Sequence, residues 1–120
     1  MARYIDGYVL PVPKKNLKAY MAMAKKASKI WLEHGALQVC ESAGEDLKPA
    51  FGMPFPKAFE VKPTETVVFS WVIYKSRKDR DRVNAKVMKD PRLNELCDPT
   101  KMLFDFKRMV VGGFTMNVDA

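Results

Sequence analysis

The chain has 120 residues, 48% of them hydrophobic and 29% charged. That balance suits one globular domain and excludes disordered or fibrous architecture. The net charge is +7, and no apolar run approaches the ~20 residues of a membrane span.

In chain order, Arg3 to Val12 is aromatic and β-branched and ends among prolines, which predicts a strand. Leu17, Tyr20, Met21, Ala24, Ser28 and Trp31 then form one stripe at helical period, and Gly35 supplies the left-handed residue that stops the helix. Ala36 to Ala43 reads as a second strand. Gly44 to Glu65 is irregular and rich in proline, with Phe55 to Val61 expected as a short extended arm. Thr66 to Tyr74 carries the strongest strand signal. Ser76 is the expected N-cap of a second helix, with Asp79 three residues on. That helix should turn Val83, Val87 and Met88 inward and stop before Asp90-Pro91. Leu93 to Leu103 is expected as a connector, and Lys107 to Val118 as a last strand in which Gly112-Gly113 marks a bulge or a close backbone approach. The order β-α-β-β-α-β predicts an α+β, ferredoxin-like domain over residues 1–120. Its antiparallel four-stranded sheet should carry both helices on one face.

Strand alternation sorts the side chains into two faces. One face collects Ile5, Gly7, Val9, Leu37, Val39, Val67, Phe69, Trp71, Ile73, Met109 and Val111, and is expected under the helices. The other collects Tyr4, Asp6, Tyr8, Leu10, Gln38, Cys40, Val68, Ser70, Val72, Tyr74, Val110, Phe114 and Met116. Both are largely apolar, and an apolar patch left wet marks an interface. A second copy packed sheet to sheet, a homodimer, is the expected solution. The alternative is that the Gly44 to Glu65 arm folds across.

The runs YIDGYVLPVP (Tyr4 to Pro13), VVFSWVIYKSRKDRDRVNAKVMKDPRL (Val67 to Leu93) and FDFKRMVVGGF (Phe104 to Phe114) resemble the YbaA-like family of uncharacterised bacterial proteins. Leu103 and Phe106 depart from it, standing where the family tends to have Pro and Gly. The resemblance implies a ferredoxin-like dimer of the dimeric α/β-barrel superfamily, and it supplies no catalytic residues. That superfamily includes cofactor-free monooxygenases, small-molecule isomerases and haem-handling proteins, an analogy of fold alone.

The residues themselves offer Asp6 as a candidate general base, because a carboxylate interrupting an apolar strand is poised to take a proton. The competing reading pairs Asp6 with Arg108 or another cation. Tyr8, Cys40, Ser70 and Tyr74 are the candidate lining of a pocket for a small apolar ligand. His34 falls at a helix C-terminus, where a protonated imidazole favours the dipole, so a Cys40–His34 nucleophile is not expected. Metal and cofactor sites are not expected either, since no clustered ligand spacing and no Gly-rich phosphate loop occurs. Two cysteines, Cys40 and Cys97, make no disulfide scaffold and point to a reducing cytoplasm. Met1 to Tyr8 has no signal-like apolar stretch.

The positive charge is uneven. Lys14 to Lys29 holds six lysines and no acid, and Lys75 to Arg92 holds eight basic and three acidic residues. Solvated helix faces account for this, with binding of RNA or another polyanion as the alternative function.

Overall fold

In the computed structural model, which describes Met1–Ala120, the two longest strands form the centre of the sheet. β1 (Tyr4–Pro13) and β3 (Glu65–Tyr74) pair antiparallel along their full lengths, from Tyr4 opposite Tyr74 to Pro13 opposite Glu65. β2 (Gln38–Ala43) adds outside β3 and β4 (Val110–Thr115) outside β1, giving the order β2-β3-β1-β4. All neighbours are antiparallel.

Helix α1 (Leu17–His34) ends because Gly35 takes φ +120, a conformation that a side chain resists. Helix α3 (Arg77–Met88) begins where the Ser76 Oγ accepts the Asp79 N–H at 3.1 Å. Between β2 and β3, Phe55–Ala58 forms a single helical turn, α2, instead of the expected extended arm. Pro54 precedes it as the N-cap, and Pro56 sits in its first turn, where its missing N–H costs no helical bond. The expected connector after Asp90 holds a further helix, α4 (Pro91–Leu96), with Pro91 in its first turn and the Asp90 carboxylate accepting the Arg92 N–H at 3.0 Å. The last strand is shorter than the sequence suggests, because Phe106–Arg108 is a 3-10 turn.

The helices cover one face. Leu10, Val12 and Val68 pack with Tyr20 and Ala24 of α1, while Val72 and Tyr74 pack with Ile30, Val83, Val87 and Leu93. Val83 and Val87 are buried as expected, but Met88 is 60% exposed, since its place on α3 turns away from the stripe that ends at Val87. This is the ferredoxin-like α+β arrangement.

The register reverses the expected faces. Tyr4, Asp6, Tyr8, Leu10 and Val12 pair with Tyr74, Val72, Ser70, Val68 and Thr66, and this side lies under the helices. Ile5, Val9, Phe69, Trp71 and Ile73, grouped correctly with one another, lie on the open side. The edge strands are offset by one residue from their expected allocation. Val39 joins Val72 under the helices and Cys40 joins Trp71 outside. Likewise, Val111 joins Tyr8, whereas Val110 and Phe114 join Val9 and Ile5. Alternation fixes sides within one strand, but the relation between strands comes from pairing, and a slip of one residue exchanges them.

The open side is partly roofed. Phe55 of α2 meets Phe69 edge-on, ring centroids 6.2 Å apart, and Phe69 meets Trp71 in the same way. Even so, Phe69, Val110 and Phe114 remain 43%, 48% and 59% exposed.

Candidate functional site

Four of the five residues singled out from the sequence, Asp6, Tyr8, Ser70 and Tyr74, share the helix-covered side of the sheet. Cys40, the fifth, points to the opposite side beside Trp71, so it lines no pocket with them. His34 is also engaged elsewhere, its Nε2 lying 2.9 Å from the Asp90 carboxylate.

Asp6 is buried, and the cation that meets it is Arg80 of α3. The guanidinium donates to Oδ1 at 2.7 Å and stacks on the Tyr4 ring, 4.8 Å from its centroid. Arg108, the cation named from sequence, instead pairs with Glu65. Asn84 completes the array as an adapter. Its amide N–H₂ lies 3.5 Å from Asp6 Oδ2, and its carbonyl accepts the Tyr74 O–H at 3.1 Å and the Trp31 N–H at 3.3 Å. A buried pair of this kind is tolerable only because each charge is met and the remaining polar atoms are bonded.

Room for the array comes from β4. At Gly113, opposite Asp6, a Cβ would stand 2.5 Å from the Tyr4 hydroxyl oxygen and 3.0 Å from Arg80 Nη1. A side chain at Gly113 would push these groups away. Of the two expected glycines it is Gly113 that is closely approached, by the Tyr4 and Arg80 side chains. A Cβ at Gly112 would meet only Phe114, at an ordinary 3.4 Å, and the register shows no bulge.

The next rung of the sheet runs Val111, Tyr8, Ser70, Glu41 across all four strands. The Ser70 hydroxyl donates to Glu41 Oε2 at 2.6 Å, and the Tyr20 hydroxyl of α1 donates to Glu41 Oε1 at 2.6 Å. Burial pushes the Tyr8 phenol up to about 12, with the Asp6 carboxylate adding to the shift. Burial raises Tyr74 as well, and raises Tyr20 together with its bond to Glu41. At neutral pH these phenols are therefore fixed donors and not bases. Asp6 and Glu41 are the anionic groups of the side, and Tyr8 stands between them.

Of two depressions in the surface, only the smaller adjoins these residues. One, of about 240 Å³, lies between α1 and β2, and Glu41 is among its lining residues. Another, of about 480 Å³, lies near Pro13 and Asn16 at the far end of β1, where its Arg108 and Glu65 already satisfy each other.

Sequence reading missed Arg80, Asn84 and Glu41. The signal was present on α3, where Arg80, Val83, Asn84 and Val87 fall at helical spacing on one stripe. Polar residues sharing a buried stripe ask for polar partners on the sheet. Glu41 likewise alternates with Val39, which packs against the core beneath the helices.

Comparison with known proteins places this geometry. Residues 3–106 match the family described as "Protein of unknown function (DUF1428)". The chain is 40% identical over 117 residues to the uncharacterized protein YbaA of Escherichia coli strain K12, covering 98% of both, and equally to YbaA of Shigella flexneri. Among solved structures it is similar to a dimeric ferredoxin-like protein from an uncultured marine organism, at TM-score 0.65 and 10% identity over the whole of both chains. A nipsnap family protein with unknown function from Agrobacterium tumefaciens gives TM-score 0.60 at 12% identity, covering 95% of this chain and 87% of that one. At such identities the likeness concerns the fold.

Proposed function

The chain belongs to the DUF1428 family, and from that premise we propose that residues 1–120 act as one domain of a homodimer that binds a small molecule on the helix-covered side of each sheet. The observation that carries the dimer is the open side, where Phe69, Val110 and Phe114 stand in water beside Trp71 and Val9. Apolar surface of this kind is stabilised by a second copy, and a two-fold axis lets one patch cover itself. The dimeric ferredoxin-like neighbour supports the same reading. Ligand binding rests on the opposite side, where Tyr8 offers a protonated hydroxyl between Asp6 and Glu41. Asp6 is then a positioning group, because Arg80 and Asn84 already occupy its oxygens; general-base chemistry at Asp6 would require the Arg80 contact to open. The unbridged cysteines Cys40 and Cys97 agree with a cytoplasmic setting, and no helix is long and apolar enough to cross a membrane.

Sedimentation equilibrium at low micromolar concentration tests the dimer. Wild type should run at twice the chain mass, and Phe69→Glu with Phe114→Glu should run at the chain mass while keeping its circular dichroism. A wild-type monomer at that concentration overturns the reading.

One observation favours a second function. No lysine lies within 4 Å of a carboxylate, and Lys14, Lys15, Lys18, Lys25, Lys26 and Lys29 are all exposed. A face so free of counter-charge suits a polyanion. Retention on heparin that collapses between low and moderate salt would establish it; elution in the void at low salt would dispose of it.

A further inference from the structure

Glu41 differs from the other carboxylates packed into the body of the protein. Asp6 lies against Arg80, Glu65 against Arg108, Asp79 against Arg82, and Asp90 against His34 and Arg92. Asp98, also half-buried, is a turn cap bonded to Thr100. Glu41 has no cation within 4 Å, and its partners are the Tyr20 and Ser70 hydroxyls. Hydroxyls orient a carboxylate without neutralising it. A half-buried anion left in that state has lost much of its hydration and gained no counter-charge. Its oxygens retain free lone pairs.

The same carboxylate lines the depression of about 240 Å³ between α1 and β2, whose other residues are Met21, Ala24, Lys25, Ser28 and Val39. Lys25 shares the depression yet makes no ion pair there, and the Ser28 hydroxyl is already spent on the Lys25 carbonyl at 2.7 Å. The unmatched feature is thus one negative charge set among Met21, Ala24 and Val39. Its volume corresponds to several waters at ~30 Å³ each, below the ~300 Å³ at which pockets for larger ligands begin.

We propose that this depression binds a small organic ammonium compound, its protonated amine on Glu41 and a short apolar chain against Met21, Ala24 and Val39. The inference rests on the small-molecule reading of the helix-covered side and names its ligand class. Glu41 faces the helices, opposite Ser70 in the register, so a partner copy on the open side leaves the site uncovered.

The test is an amide-resolved NMR titration of the full chain at pH 7 and low salt with n-butylammonium chloride. The neutral isostere n-butanol and potassium chloride serve as controls. Saturable shifts should appear at Ala24, Lys25 and Val39 to Glu41, with the amine binding about 10-fold or more tighter than the alcohol, as a charged hydrogen bond implies. Glu41→Gln should abolish that preference, and Lys25→Met should keep or strengthen it by removing a like charge. No saturable shift in wild type, equal binding of the alcohol, loss of binding in Lys25→Met, or unchanged preference in a folded Glu41→Gln would each overturn the proposal. Should Glu41→Gln fail to fold, the amine–alcohol comparison in wild type and Lys25→Met decides. Sedimentation of the same samples separates the two readings. A monomer that prefers the amine keeps the site and loses the dimer, and a dimer indifferent to it does the reverse.

Discussion

Under the helices the sheet carries Asp6, Tyr8, Ser70, Glu41 and Tyr74, and all but Tyr8 and Glu41 are buried. Its other side carries Ile5, Val9, Phe69, Trp71 and Phe114, and of these residues none is fully shielded. Hydropathy alone would assign the two sides the other way round. A strand side is buried within the chain when the chain supplies partners for its polar atoms, and α3 supplies Arg80 and Asn84. The open side is mostly apolar and carries no buried charge, its Trp71 N–H being met by Gln38 on the same side, and that leaves it free to be covered by another molecule.

Breaking the first side should cost most. Asp6→Ala leaves the Arg80 guanidinium, whose side chain is 18% exposed, with only the exposed Asp81 carboxylate as counter-charge. It should lower unfolding free energy by about 3 kcal/mol, the low end for a broken buried pair, independent of protein concentration. On the open side, Phe114→Ala should act through association, so its melting temperature should fall mainly on dilution. Denaturant melts at two protein concentrations distinguish the behaviours, and a concentration-dependent loss in Asp6→Ala would erase the contrast. Gly113→Ala should cost about 1–3 kcal/mol, because its Cβ forces Tyr4 or Arg80 to move. Double substitution with Tyr4→Phe, which removes the nearest atom, should recover part of that loss.

The smallest effect is a matter of pH. Tyr8 holds its proton to about 12 when folded, whereas an unfolded phenol loses it near 10. The folded state thus binds more protons between these values, and stability falls as pH rises through that window. By pH 11 the share of Tyr8 is about 1.4 kcal/mol, the free energy of a tenfold difference in ionisation between the unfolded and folded phenol. Tyr8→Phe should flatten the alkaline slope by this amount relative to wild type, and an identical slope would show that the phenol is not shielded.

Much of the fold was legible because its signals are local. The α1 stripe, the Ser76 cap and the run Thr66 to Tyr74 each announce an element within a few residues, and element order then limits the topology. The β1–β3 sorting was legible as well, since two long strands leave little freedom of register. The edge strands were not, because β2 and β4 have six residues each and no tight hairpin to pin them. That offset moved Cys40 away from Ser70 and hid Glu41. Asp6 was visible as an anomaly in an apolar strand. Arg80, 74 residues away, was not recognisable as its partner until α3 was laid across the sheet.

The division of labour between the two basic residue types reaches beyond the fold. Five of the six arginines are tied to carboxylates, while every lysine stands free. Acylating the amines would therefore strip most of the positive charge from the surface and leave the arginine–carboxylate pairs fastened. A dicarbonyl that attacks guanidinium groups would do the opposite, breaking those pairs while the lysines keep the surface basic.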